Sequence, residues 1–115
     1  MPTSVLVVED EALVRMSIAI ELEEAGFKVF EAGNAEQAQR VLGAELVGAI
    51  FTDVDMPGPM DGLGFAALAR NRFPEIPIVV TSGHLTVTTA QLPAGTVFIE
   101  KPYQVAAVIA ALTES

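Results

Sequence analysis

The chain has 115 residues and a mass of 12.1 kDa, the size of one domain with one core and no room for a second. Six basic against fifteen acidic residues give a net charge of -9, which repels nucleic acid and anionic lipid, and no basic patch offsets it. Although 51% of the residues are hydrophobic, no run approaches the roughly 18–20 apolar residues of a membrane helix, and Met1–Asp10 lacks the pattern of a signal peptide; the absence of cysteine removes disulfides and thiolate metal sites. A cytoplasmic protein is the expectation.

The elements alternate along the chain. "SVLVVE" (Ser4–Glu9) is a short β-branched run of buried-strand length. Val14, Ile18, Leu22 and Ala25 then form one helical stripe, and Gly26 supplies the left-handed residue that ends it. "FKVFE" (Phe27–Glu31) reads as a second strand. Asn34 with Gln37 three residues on forms a capping box that opens a helix through Leu42. "VGAIFT" (Val47–Thr52) is a third strand, Leu63–Phe73 a helix closed by Pro74, and "IPIVVT" (Ile76–Thr81) a fourth strand. "HLTVTTAQLPAG" holds Thr86, Val87, Thr88 and Thr89, poor helix formers, so a short or distorted helix is expected there. "TVFIE" (Thr96–Glu100) is the fifth strand, and Pro102–Thr113 a last helix with Val105, Ile109 and Leu112 on one face. Strands alternating with helices predict an α/β fold with a parallel sheet covered on both sides.

In such a sheet ligands bind at the carboxyl ends of the strands, where the strand order reverses. The residues just past each apolar run are Glu9 and Asp10, Asp53, Ser82 and Lys101. The second strand ends in Glu31, Ala32 and Gly33 without a matching cluster, as suits an edge strand. Carboxylates brought within ~4 Å of one another repel by several kcal/mol, so they need a cation between them or must hold a proton. Hard oxygen ligands favour magnesium, which takes one or two carboxylates and leaves positions for a phosphate oxygen. Lys101 can neutralise another phosphate oxygen, Ser82 can donate a hydrogen bond, and Asp53 suits a nucleophilic carboxylate that forms an acyl phosphate.

Taken one at a time, these residues have plainer readings. Glu9 and Asp10 suit a helix start, Ser82–Gly83 a turn, Lys101 a solvated charge and Phe98 a core position, while His84, the one histidine, reads as surface decoration. Asp53 resists such a reading, because a carboxylate at the end of a buried strand costs free energy unless paired.

Jointly, the chain resembles a response-regulator receiver domain of two-component signalling. The resemblance covers essentially the whole chain, as one domain over residues 1–115. It rests on "VVEDE" (Glu9, Asp10), "TDVDMPGPMDG" (Asp53, Met56, Pro57, Gly62), "VVTSGH" (Ser82, Gly83) and "FIEKPY" (Phe98, Lys101, Pro102), in order and each at a strand end. The resemblance implies a flavodoxin-like doubly wound sheet of order 2-1-3-4-5 and magnesium-dependent phosphoryl transfer to Asp53 from a histidine kinase or phosphotransfer protein. It implies that Asp10, Asp53 and the main-chain carbonyl of Asp55 bind the metal, with Glu9 acting through water. Ser82 and Phe98 would be the switch residues, and the protein would regulate an output partner rather than turn over an outside substrate. It would be a stand-alone regulator or a piece of a hybrid kinase.

This sequence departs from the pattern in the Met56–Gly62 loop, which has one residue more than usual, with Pro59 the inserted position. Asp55 lies two residues past the acceptor, where its side chain would either repel an arriving phosphate or orient a water. Two other readings stand beside this one. "DVD" at Asp53–Asp55 also matches the aspartate nucleophile and acid of haloacid-dehalogenase-like phosphatases, although their motif follows the first strand. A receiver that binds partners without phosphorylation is the third possibility. "GLGFAA" at Gly62–Ala67 matches a dinucleotide fingerprint but has no strand feeding its turn, and is discounted.

Overall fold

The structure, a computed structural model, describes residues 3–83 and 92–113. Its elements run β1 (Ser4–Val8), α1 (Ala12–Glu24), β2 (Lys28–Ala32), α2 (Ala35–Ala44), β3 (Ile50–Asp53), α3 (Gly62–Arg72), β4 (Ile78–Ser82), β5 (Val97–Glu100) and α4 (Val105–Thr113). All strand pairs are parallel and the order is β2-β1-β3-β4-β5, as expected. Both His84 and the short helix expected over Thr86–Thr89 lie outside the described residues.

Alternation along the strands builds two cores. Leu6 and Val8 of β1 face a cluster with Ile50, Val80, Ala38, Leu42, Phe65 and Ala69, beneath α2 and α3. Val5 and Val7 face the opposite way, against Ile18, Leu22, Phe51, Val79, Val108 and Leu112, beneath α1 and α4. Because β1, β3 and β4 carry apolar residues on both faces, they are buried throughout, whereas β2 and β5 are half-exposed edges.

Helix ends follow local chemistry. Gly26 has φ of +104°, the Gly26 N–H donates to Glu23 O and the Phe27 N–H to Leu22 O, which together form a Schellman stop with Phe27 and Leu22 in one cluster. At α2, Asn34 accepts from the Gln37 N–H at 2.8 Å, but the Gln37 side chain accepts from the Gly33 N–H rather than from Asn34, so the box closes one residue early. The last helix begins at Val105 instead of Pro102. Its first acceptor is the Gln104 carbonyl, and Pro102 lies in the turn before it, after a cis Lys101–Pro102 peptide. Its inner face centres on Val108, Ala111 and Leu112, with Val105 and Ile109 at the flanks.

One glycine sets how closely α3 approaches the strand that carries Asp53. A Cβ on Gly62 would lie 1.8 Å from Asp53 O and 2.8 Å from Val54 Cα, both backbone atoms, while the Gly62 N–H donates to Val54 O at 3.0 Å. Gly62→Ala must therefore move α3 or β3, at a cost of about 2–3 kcal/mol. By contrast, Gly43→Ala, on the exposed side of α2 with nothing within 4 Å, is expected to stabilise by about 0.5–1 kcal/mol. Urea denaturation of the two variants checks this opposite sign.

Candidate functional site

Four of the expected residues meet at the carboxyl edge of the sheet. Glu9 follows β1 and is 5% exposed; Asp53 closes β3 and is 4% exposed; Asp10 beside them is open to solvent. Single carboxylate oxygens of Glu9, Asp10 and Asp53 lie within 4.8 Å of one another, a group that could hold a metal ion. Lys101 Nζ donates to Asp53 Oδ2 at 3.1 Å and to Glu9 Oε1 at 3.4 Å. Its backbone is fixed by its own N–H, which donates to Ser82 O at 3.0 Å.

The other acceptor oxygen, Asp53 Oδ1, takes the Asp55 N–H at 3.2 Å. Separate donors thus hold the two oxygens of Asp53 and fix the plane of the carboxylate. Ser82, fully buried, donates its hydroxyl to Asp55 Oδ2 at 3.0 Å. Phe98 pairs in register with Val80, packs half-buried against the α2–α3 cluster, and lies on the same sheet face as Ser82 two residues further along β4.

Electrostatics reflect this crowding. Burial first, then the hydrogen bond with Asp10 and repulsion from Asp53, push the Glu9 carboxyl up to about 7, against the opposing pull of the Glu11 N–H and Lys101. The upward shift of Glu9 marks the cost of holding its carboxyl charged in this buried, acidic corner. For Lys101, burial pulls the pKa down, but hydrogen bonds and attraction from Asp53 and Glu9 win and leave it raised, so the ammonium stays charged.

Other contributors are not evident from the sequence motifs. Arg15, beside the Val14–Ile18 stripe, donates from one guanidinium nitrogen to Glu9 O at 2.8 Å and from another to Glu31 Oε1 at 3.2 Å. The end of the edge strand β2 is therefore tied to the acid-bearing turn after β1, contrary to the expectation that it stands apart. The signal for Arg15 was its being the one basic residue of α1, five positions after Asp10. Asp61, the α3 N-cap, accepts from the Gly64 N–H at 2.9 Å and anchors the far end of the loop after Asp53. Gly58, at φ of +103°, provides the left-handed bend within that loop.

Lys101→Met leaves two buried carboxylates facing each other without a cation. Since the ammonium is partly exposed, the expected loss is about 1–3 kcal/mol in chelator-treated protein, read from urea denaturation. An unchanged midpoint would show the amine to be a bystander.

Comparison with known proteins bears on this geometry. Residues 5–113 match the response regulator receiver domain family. An NtrX-like response regulator of Rickettsia felis is 37% identical over 103 residues, covering 86% of this chain and 22% of that protein. Among solved structures, a response regulator receiver protein from Sinorhizobium medicae superposes with a TM-score of 0.89 at 28% identity, covering 96% of this chain and 91% of the other. The receiver domain of NtrX from Brucella abortus gives 0.84 at 29% identity, covering 96% and 99%. The chain spans about a fifth of the length of the curated relatives that it matches first. Neither the fold nor these relatives support the dehalogenase-like alternative. With a five-stranded 2-1-3-4-5 sheet and a family match over nearly its whole length, the chain belongs to the response regulator receiver domain family.

Proposed function

We propose that this receiver domain takes a phosphoryl group on Asp53 from the phosphohistidine of a histidine kinase or phosphotransfer protein, and so regulates a partner. The observation that carries this is the pairing of a nearly buried strand-end carboxylate with Lys101 at 3.1 Å inside a cluster of three acids. A carboxylate oxygen of Asp53 forms the new bond to phosphorus, the phosphorus–nitrogen bond of the donor breaks, and the electron pair leaves with the imidazole. Lys101 neutralises charge on the transferred group, and the Asp55 N–H keeps the acceptor in plane.

The acid cluster fits a hard divalent ion. Asp10 and Asp53 would hold it directly with the Asp55 carbonyl, and Glu9 through water. Magnesium, when bound, supplies positive charge shared between acceptor and phosphate oxygens. Ser82 and Phe98 would serve as the switch pair, the hydroxyl turning toward the phosphoryl group and the ring following on the adjacent strand. The domain thus supports its own phosphorylation and dephosphorylation without turning over an outside substrate. The intact set of Asp10, Asp53, Ser82 and Lys101 disfavours a partner-binding role independent of phosphorylation.

A surface for the donor adjoins the site. α1 begins two residues after Asp10 and exposes Leu13, Met16 and Ile20 on its outer side, at 82%, 50% and 53%, while Ile18 and Leu22 fill the core. Three large apolar side chains three and four residues apart make a stripe suited to an apolar helix of the donor protein.

Acetyl phosphate should label the wild type in the presence of magnesium, and Asp53→Asn should abolish that label. Labelling that persists in Asp53→Asn would move the acceptor elsewhere. Magnesium at a hundredfold over its Kd should stabilise the wild type by about 2.7 kcal/mol, with the thermal shift lost in Asp10→Asn. Finally, Leu13→Ala with Ile20→Ala should slow transfer from a histidine kinase on the order of tenfold, well beyond any change in labelling by acetyl phosphate. Equal slowing of the two would argue against docking on α1.

A further inference from the structure

The phosphoacceptor reading gives no role to the carboxylate of Asp55, which lies at the site. Its backbone and side chain point to different duties: the N–H donates to the acceptor Asp53, while Oδ2 accepts the hydroxyl of Ser82 at 3.0 Å. Ser82 is fully buried on β4, one residue past Thr81, which pairs across the sheet with Asp53. A serine hydroxyl has one proton to donate. While that proton is directed at Asp55, it is not available to an oxygen on Asp53.

We propose that Asp55 is a positioning residue that latches the Ser82 hydroxyl in the unphosphorylated state, so that a phosphoryl group on Asp53 must win this proton from a carboxylate. This rests on the phosphoacceptor reading and adds to it a resting-state restraint particular to this chain. A hydroxyl–carboxylate bond is charge-assisted, which makes it stronger than a contact between neutral groups. The phosphoryl group shifts the equilibrium only by the difference between its own affinity for the hydroxyl and that of Asp55. Asp55 itself lies at the exposed surface of the loop, whereas Ser82 is buried. The latch therefore lowers the fraction of molecules that switch without the signal, and weakens the response to the signal by the same factor.

The probe is beryllofluoride with magnesium, an acyl-phosphate mimic, titrated into the full chain while amide shifts of Gly83 and Phe98 are followed. Asp55→Asn removes the charge but keeps a side-chain oxygen that accepts the hydroxyl; Asp55→Ala removes both. With the latch, the Ala variant binds the mimic on the order of tenfold more tightly than the Asn variant. In a Ser82→Ala background the same two substitutions bind alike. Equal affinities with Ser82 present would mean that only charge repulsion acts, and would overturn the latch. So would a gap that persists without the hydroxyl. In the resting protein, Asp55→Ala should shift the Ser82 and Gly83 amides while Asp55→Asn leaves them near their wild-type positions. If the wild type gives no response to beryllofluoride, the phosphoacceptor reading fails, and this resting comparison still decides for or against the latch.

Discussion

One ammonium group holds the site together. Lys101 belongs to the turn after the edge strand β5, two strand spacings or about 10 Å from β3, yet its nitrogen sits between Asp53 and Glu9. Only a long cationic side chain spans that distance across β4. Its backbone is held at the near end by the bond to Ser82 O, so the reach is directed rather than free. Remove this charge and the acids at the ends of β1 and β3 repel at close range in a partly buried setting, where each unit of charge costs far more than at the surface. The order of the sheet, the burial of β1 and β3, and the turn at Lys101–Pro102 all serve one meeting point.

Close packing behind that point keeps Asp53 fixed. Gly62 lets the first turn of α3 lie against the Asp53 carbonyl and the Val54 backbone, and Asp61 caps the same turn. Met56 is buried while Pro57, Gly58 and Pro59 are exposed, so the loop is anchored at both ends and solvent-facing in its middle. On the other side Arg15 joins the carbonyl of Glu9 to the side chain of Glu31, which makes the acid-bearing turn part of a three-element tie. Rigid support of this kind suits the reacting carboxylate that we propose, since small displacements of an attacking atom cost large factors in rate.

The strands were legible because β-branched runs broken by Gly and Pro stand out in a chain that alternates strand and helix, whereas their order came from the resemblance to receiver domains. The site was legible for a related reason. Parallel topology gathers strand ends, so reading the residue after each apolar run found Glu9, Asp10, Asp53, Ser82 and Lys101 without any knowledge of distance. What escaped were side chains that act across elements. Arg15 looks like the solvated face of α1, and its being the one basic residue of that helix hints at a partner without telling that it is a carbonyl six residues behind. The contact between Asp55 and Ser82 joins residues 27 apart whose spacing carries no period. The start of α4 moved from Pro102 to Val105 because proline at a first turn is a preference, whereas the carbonyl that accepts the first helical bond is set by the path of the chain after Lys101.

Charge gives the last link between surface and site. A net charge of -9 draws divalent cations toward the acid cluster and pushes phosphorylated donors away from it, so the long-range field favours the ion and opposes the phosphoryl group. A donor that must approach against repulsion gains little from diffusion alone. It needs contact energy that salt does not screen, and apolar burial supplies this. On the proposed reading, the exposed stripe of Leu13, Met16 and Ile20 next to Asp10 fills that need, placing the non-electrostatic part of recognition within a turn or two of the electrostatic part. A free phosphoryl donor has no such handle. On that reading, the same acidity that repels it favours a donor carried on a protein surface.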